Sequence, residues 1–181
     1  MEQVSDAPDL IKGRIVHSLD GNDALITSGG AWTGDRDLVA KMLEQLGWTR
    51  CFHRIRIGPG KAVGFGLLNG KPVFLLPGGP PSNLLAFLAI ALPGLLKLEG
   101  GAGPALPIVQ VRMGKGLAVR DKDWTQFIFG TVDAGDDYPV FMPLELDSRL
   151  RSMAMAQAVV TVPEGMEGME QGRVTTAWDL S

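Results

Sequence analysis

The sequence predicts a three-layer α/β/α domain with a largely parallel sheet, followed by a small, mostly β domain, and three observations carry that expectation. Apolar runs at residues 24–27 and 72–76 end in glycine-bearing turns and are followed by residues at helical spacing, the pattern of buried strands linked by helices. Three such loops, residues 28–34, 58–61 and 77–82, each follow a predicted strand. Beyond Glu99-Gly100-Gly101-Ala102-Gly103-Pro104 the helical periodicity fades into short apolar runs separated by Gly, Asp and Pro. Strand ends of a parallel sheet converge on one edge, where ligands bind, so the three loops are expected to share a crevice.

The first domain can be followed element by element. Residues 1–22 begin polar and then give Ile11-Lys12-Gly13-Arg14-Ile15-Val16-His17-Ser18, read as a short extended segment at best. Ala24-Leu25-Ile26-Thr27 is a buried strand. Leu38, Val39, Met42, Leu43 and Leu46 fall on one helical face, and Gly47 is placed to end that helix. Phe52 to Ile57 alternates apolar and basic residues as a half-exposed strand would, and residues 63–68 and 72–76 are strands around the turn Asn69-Gly70. A helix over residues 80–98 follows. In the second domain, runs beginning at Ile108, Phe127, Pro139 and Val159 are predicted strands.

Composition bounds the function. The chain has 181 residues, 45% of them hydrophobic, with a net charge of −3, which lacks the basic field of a nucleic-acid binder. Cys51 is the only cysteine, and His17 and His53 are the only histidines, so a disulfide framework and a structural zinc cage are excluded. The amino terminus lacks the charged and apolar regions of a signal peptide. The apolar stretch 84–98 is short for a bilayer span and carries Pro93. A soluble cytoplasmic protein is expected, with no nucleic-acid or membrane partner.

The stretch Leu76-Pro77-Gly78-Gly79-Pro80-Pro81-Ser82 organises the chain. Gly78 and Gly79 let a ligand approach the backbone, and Pro80 and Pro81 preset helical φ where missing N–H groups matter least. Backbone amides there suit an anion. An ordinary strand-to-helix turn is the alternative.

Taken in order, the three loops resemble those of the MoeA/gephyrin family, the molybdopterin molybdenumtransferases of molybdenum-cofactor synthesis, in their carboxyl-terminal half. The family's Gly-Gly-Val-Ser-Val-Gly-x-x-Asp is matched by Gly29-Gly30-Ala31-Trp32-Thr33-Gly34-Asp35-Arg36-Asp37. Its Pro-Gly-Lys-Pro is matched by Pro59-Gly60-Lys61, with Ala62 in place of the last proline, and its Leu-Pro-Gly-Asn-Pro-Val-Ser by residues 76–82. Phe87 and Pro93 recur in the helix behind. Ser152-Met153-Ala154 and Val162-Pro163-Glu164-Gly165 are similar to the family's last β domain, although the arginine that the family has near the position of Phe127 is absent.

The resemblance implies a molybdopterin-binding α/β domain at residues 23–101, after an uncertain segment at 1–22, and a β-barrel domain at 105–181. It implies a reaction in which molybdate is inserted into molybdopterin or adenylylated molybdopterin, with AMP released and Mg2+ assisting. The implied pterin site comprises Ser28, Gly29, Gly30, Gly34, Pro59, Gly60, Lys61, Pro77, Gly78, Gly79, Pro80 and Ser82, with Asp37 and Lys61 catalytic and Asp35 and Asp37 as metal ligands. Asp35 and Asp37 are alternatively helix-dipole carboxylates, and Lys61 a solvated turn lysine. A homodimer is implied as well, and the helix within 84–98, apolar nearly all round, needs cover on more than one side. Trp32 stands where the family has a serine and Gly79 where it has an asparagine, and about forty residues of the family's α/β domain have no counterpart between Ser18 and Asp23. A noncatalytic relative acting as a pterin- or nucleotide-binding or assembly module is therefore the alternative to the enzyme.

Overall fold

The computed structural model describes residues 3–30, 38–144 and 149–181. It divides into two compact units, residues 1–55 with 60–95, and residues 56–59 with 96–181.

The first unit opens with helix α1, Pro8–Asp20, where an extended segment was expected. Pro8 at the first helical position has no N–H to orphan, and Ile11, Ile15 and Leu19 recur every four residues, so one stripe of the helix is buried. Two of its last carbonyls are satisfied from outside: the Asn22 amide donates to Ser18 O at 2.7 Å and the Lys71 ammonium to Leu19 O.

Strand β1, Leu25–Ser28, leads towards α2, Leu38–Gln45. Helix α2 ends as the sequence predicts, with Gly47 at φ 88°. Gly47 N–H donates to Glu44 O and Trp48 N–H to Leu43 O, the paired bonds of a Schellman cap, and Trp48 then folds back into the core.

Strands β2 (Thr49–His53), β3 (Ile57–Gly58), β4 (Gly64–Leu68) and β5 (Lys71–Leu76) follow. The single strand expected over 52–57 is broken at Arg54, which has φ 66°. Four strands form a sheet in the order β1-β5-β4-β2. Only β1–β5 is parallel; β5–β4 and β4–β2 are antiparallel, so the sheet is mixed and the largely parallel expectation is corrected. The reason is local. Asn69 and Gly70 both have positive φ and form a two-residue hairpin loop, which joins only antiparallel strands.

Val73 and Leu75 point into a core shared with α1, α2 and Trp48. Phe74 points the other way, where its ring stacks at 5.0 Å on Phe65 and lies against Gly94. Gly94 belongs to a 19-residue helix, α3 (Pro80–Ala86) passing through a π-helical turn (Phe87–Ala91) into α4 (Leu92–Leu98). Leu92 N–H donates to Phe87 O, five residues back, and this widened turn makes room for the Pro93 ring, which a regular helix would drive into a carbonyl. Taken over its whole length from Pro80, and not only over the apolar stretch 84–98, the helix is by length and composition enough to cross a bilayer, at mean hydropathy 1.5.

The second unit is a barrel. Strands β6 (Ile108–Met113), β8 (Thr125–Asp133), β9 (Val140–Pro143), β10 (Ala158–Val162) and β12 (Val174–Asp179) run in the order β10-β12-β6-β9-β8, and β8 pairs again with β10 to close five strands on themselves. The short β3 adds to β8, while β7 (Leu117–Ala118) and β11 (Gly168–Met169) form a separate pair. Helix α5, Arg149–Met155, intervenes before β10. Phe141, wholly buried, centres a core with Val111, Met113, Val160 and Val162. Phe127 stacks on Trp178 with ring centroids 5.1 Å apart. At the end of β12 the Ser181 N–H and hydroxyl donate to Asp179 and hold its carboxyl below the ordinary value.

Two glycines give opposite expectations in denaturant unfolding. Gly13 sits in the exposed interior of α1 with open space around it, so Gly13→Ala raises stability by about 0.5–1 kcal/mol. At Gly66 a Cβ would come within 2.4 Å of Thr49 O and 2.5 Å of Trp48 Nε1, so Gly66→Ala lowers stability by about 1–3 kcal/mol. An unchanged or lowered stability for Gly13→Ala would contradict the helix.

Candidate functional site

The parallel pairing of β1 with β5 brings two of the three loops together. Ser28 is the register partner of Leu76, and Gly29 N–H continues the ladder by donating to Leu76 O at 3.0 Å. The chains then turn away side by side: a Cβ on Gly78 would lie 3.4 Å from Gly29 Cα. Gly29 and Gly30 have φ 89° and 64°, a conformation that other residues adopt at a cost, and this lets the chain leave the sheet at once. Gly30 backs directly on Val39, since a Cβ there would meet Val39 Cγ2 at 2.6 Å.

The third loop leaves from the same edge of the sheet. His53 pairs with Gly64 and Gly64 with Leu75, so the end of β2 and the start of β4 lie beside the end of β5. Gly60 and Lys61 belong to that loop, where Lys61 O accepts from Ile55 N–H and Gly60 O from Val63 N–H. Lys61 is exposed and Gly60 buried. Gly58 and Pro59, joined by a cis peptide, belong to the second unit instead.

On the third side the helix begins. Pro77 is buried, and Gly78, Gly79 and Pro80 are exposed. Gly79 is extended at φ −74°, ψ 128°, its carbonyl accepts the first helical bond from Asn83 N–H at 2.8 Å, and Pro80 occupies the first helical position. Ser82 is half-buried in the first turn. The residue that ties the loops together was not among those singled out from the sequence: the Asn83 side-chain amide donates to Pro77 O at 2.8 Å and to Ser28 Oγ at 2.9 Å. Its only sequence signal is an asparagine in the turn just after Pro80-Pro81-Ser82.

Gly34, Asp35 and Asp37, with Trp32, lie outside the described residues. Among the described residues no three His, Cys, Asp or Glu side chains converge as a metal site. A groove of about 680 Å³ in the second unit is lined by Leu117, Met166, Met169 and Arg173, none of them a residue the sequence pointed to.

Strand ends carrying paired glycines, a proline-started helix and an asparagine clamp thus adjoin at one edge of the sheet, where the loop motifs placed the expected crevice. Residues 1–97 match the family model described as "Probable molybdopterin binding domain". The chain belongs to that family, and its relatives there are MoeA and gephyrin proteins. It is 27% identical over 179 residues to the "Putative molybdopterin biosynthesis protein" of Methanocaldococcus jannaschii, covering 98% of this chain and 41% of that protein. It is 25% identical over 173 residues to the molybdopterin molybdenumtransferase of Bacillus subtilis, covering 94% and 40%. The solved MoeA molybdopterin biosynthesis protein of Pyrococcus horikoshii matches with a TM-score of 0.77 at 29% identity, over 97% of this chain and 42% of that one. The chain thus spans about two fifths of the length of these relatives.

The loop geometry makes a direct expectation. Gly30→Ala forces a side chain into a positive-φ position and against Val39, so thermal unfolding should report a loss of about 1–2 kcal/mol. Adding Val39→Ala, which removes the obstructing methyl, should make the Gly30→Ala step less costly; equal cost in both backgrounds would place the loop elsewhere.

Proposed function

We propose that this chain handles molybdopterin in molybdenum-cofactor synthesis, as a MoeA-type molybdopterin molybdenumtransferase unit that inserts molybdate into adenylylated molybdopterin. The observation that carries the reading is the joined edge of Ser28-Gly29-Gly30 and Pro77-Gly78-Gly79, family motifs that meet at parallel strand ends. The chemistry asks for no protein nucleophile. It asks for phosphate and molybdate to be held beside two ligand sulfurs, which is catalysis by positioning and electrostatics. Amides of Gly29, Gly30, Gly78 and Gly79 supply neutral donors, and Lys61, at the same sheet edge, supplies a charge.

For Mg2+ the sequence offers Asp35 and Asp37, hard oxygen donors of the type that ion prefers. Both stand outside the described residues, so no step is routed through the ion. The second reading, a noncatalytic pterin- or nucleotide-binding or assembly module, draws on Gly79 and Trp32, which depart from the family loops at positions that touch a ligand in the enzyme reading. Isothermal titration with molybdopterin tests the site. Lys61→Ala should weaken binding by about 1.5–3 kcal/mol, and added salt should shrink that difference. A chain that binds adenylylated molybdopterin yet releases no AMP when molybdate and Mg2+ are added is the module; a chain that binds no pterin sinks the enzyme and the pterin-binding module alike.

A second copy of the chain is the partner proposed for the helix Pro80–Leu98. Only Leu85, Ala86, Leu88 and Ala91 of it are buried, no residue of α4 is, and Leu98 is 53% exposed. Sedimentation should give twice the chain mass, and Leu98→Glu, which removes no buried contact, should shift the population to monomer and abolish the dependence of the melting temperature on chain concentration. A monomer at micromolar concentration, or partition into lipid vesicles instead, would overturn the dimer.

A further inference from the structure

We infer that Asn83 is a positioning residue of the ligand edge, which turns the Ser28 hydroxyl proton outward as a donor for an oxyanion of the bound pterin. The inference rests on the molybdopterin reading and adds to it a residue that none of the loop motifs contains.

The argument runs through hydrogen-bond polarity. A backbone carbonyl only accepts, so the Asn83 side-chain atom 2.8 Å from Pro77 O must be the amide nitrogen and not its oxygen. That nitrogen carries two N–H groups. The second is directed at Ser28 Oγ, 2.9 Å away. Ser28 Oγ therefore accepts in this contact, and its single proton points away from Asn83 towards a different acceptor. Ser28 is exposed while Asn83 is half-buried, so the proton is turned to the solvent side of the edge. An acceptor-rich phosphate or molybdate oxygen matches a hydroxyl fixed in that sense, and a charged acceptor makes the bond stronger than a neutral one would.

The same amide holds the two loops at a set separation. Its bonds join Ser28, at the end of β1 and 55 positions before Asn83 in sequence, to Pro77 in the turn after β5, beside the Gly29 N–H to Leu76 O bond. Gly79 occupies the place of the family's loop asparagine, and Asn83, one helical turn later, brings a side-chain amide back to the loop from the helix side.

A double-mutant cycle tests this on the full chain, with molybdopterin as the probe and calorimetry as the readout. Ser28→Ala and Asn83→Ala should each weaken binding about tenfold, and the double variant should be no weaker than either alone, because Asn83 acts through Ser28. Asn83→Asp, which keeps the shape and suits the first turn of a helix, secures the cycle if the alanine variant folds poorly. Its carboxylate accepts where the amide donated, so the Ser28 proton turns inward, and the loss caused by Asn83→Asp should be larger with Ser28 present than in the Ser28→Ala background. Additive losses, or an Asn83 variant that lowers the melting temperature yet binds as tightly as wild type, overturn the positioning role while leaving the pterin reading standing. A wild-type chain that binds no molybdopterin overturns that reading and this inference together.

Discussion

The parallel pairing of β1 with β5 is the constraint on which the first unit depends. Two parallel strands cannot be joined by a tight turn, so the chain between them must travel across the sheet and return. Here it does so through α2, β2 and β4, which leaves both strands ending at one edge with Ser28 opposite Leu76. Everything gathered at that edge follows from this register. A slip by one residue would move Val73 and Leu75 out of the core shared with α1 and α2 and separate the glycines at the same time, so packing and site geometry are specified together.

The helix behind the edge answers two demands that conflict. Its first turn leaves the glycine-proline junction exposed at the loop edge, and its middle covers Phe74 on the sheet. Gly94 meets the second demand by letting the ring lie close, and the π-helical turn absorbs Pro93 so that the axis continues to Leu98. The unit therefore holds its site with a helix whose apolar surface is larger than the sheet beneath it uses.

How much was legible in the sequence follows from how local each signal was. The Asn69-Gly70 turn, the Gly47 cap, the apolar runs of β1 and β5 and the helix from Pro80 are written in adjacent residues, and they stand in the structure where the sequence placed them. Helix α1 was equally present in the spacing of Ile11, Ile15 and Leu19 behind Pro8, but Gly13 inside it and the exposed Leu10 and Val16 blur the stripe. The direction of β4 could have been read from its own two-residue turn, which argues against a largely parallel sheet. Barrel closure by β8 and β10, and the reach of Asn83 to Ser28, depend on partners far away in sequence and have no local trace. Strand β12, with Thr175 and Thr176 between Val174 and Ala177, lacks the apolar run that marked its neighbours.

The two sheets differ in how they end. The barrel of the second unit returns on itself through the pairing of β8 with β10. The four-stranded sheet is open, and among the described residues β1 pairs on one side only, with Ile26 exposed beside its unpaired amides. A bare flank of this kind is a template for unwanted pairing. On the first unit the flank of β1 is therefore the place where a charged residue, in place of Ile26, would discourage strand addition.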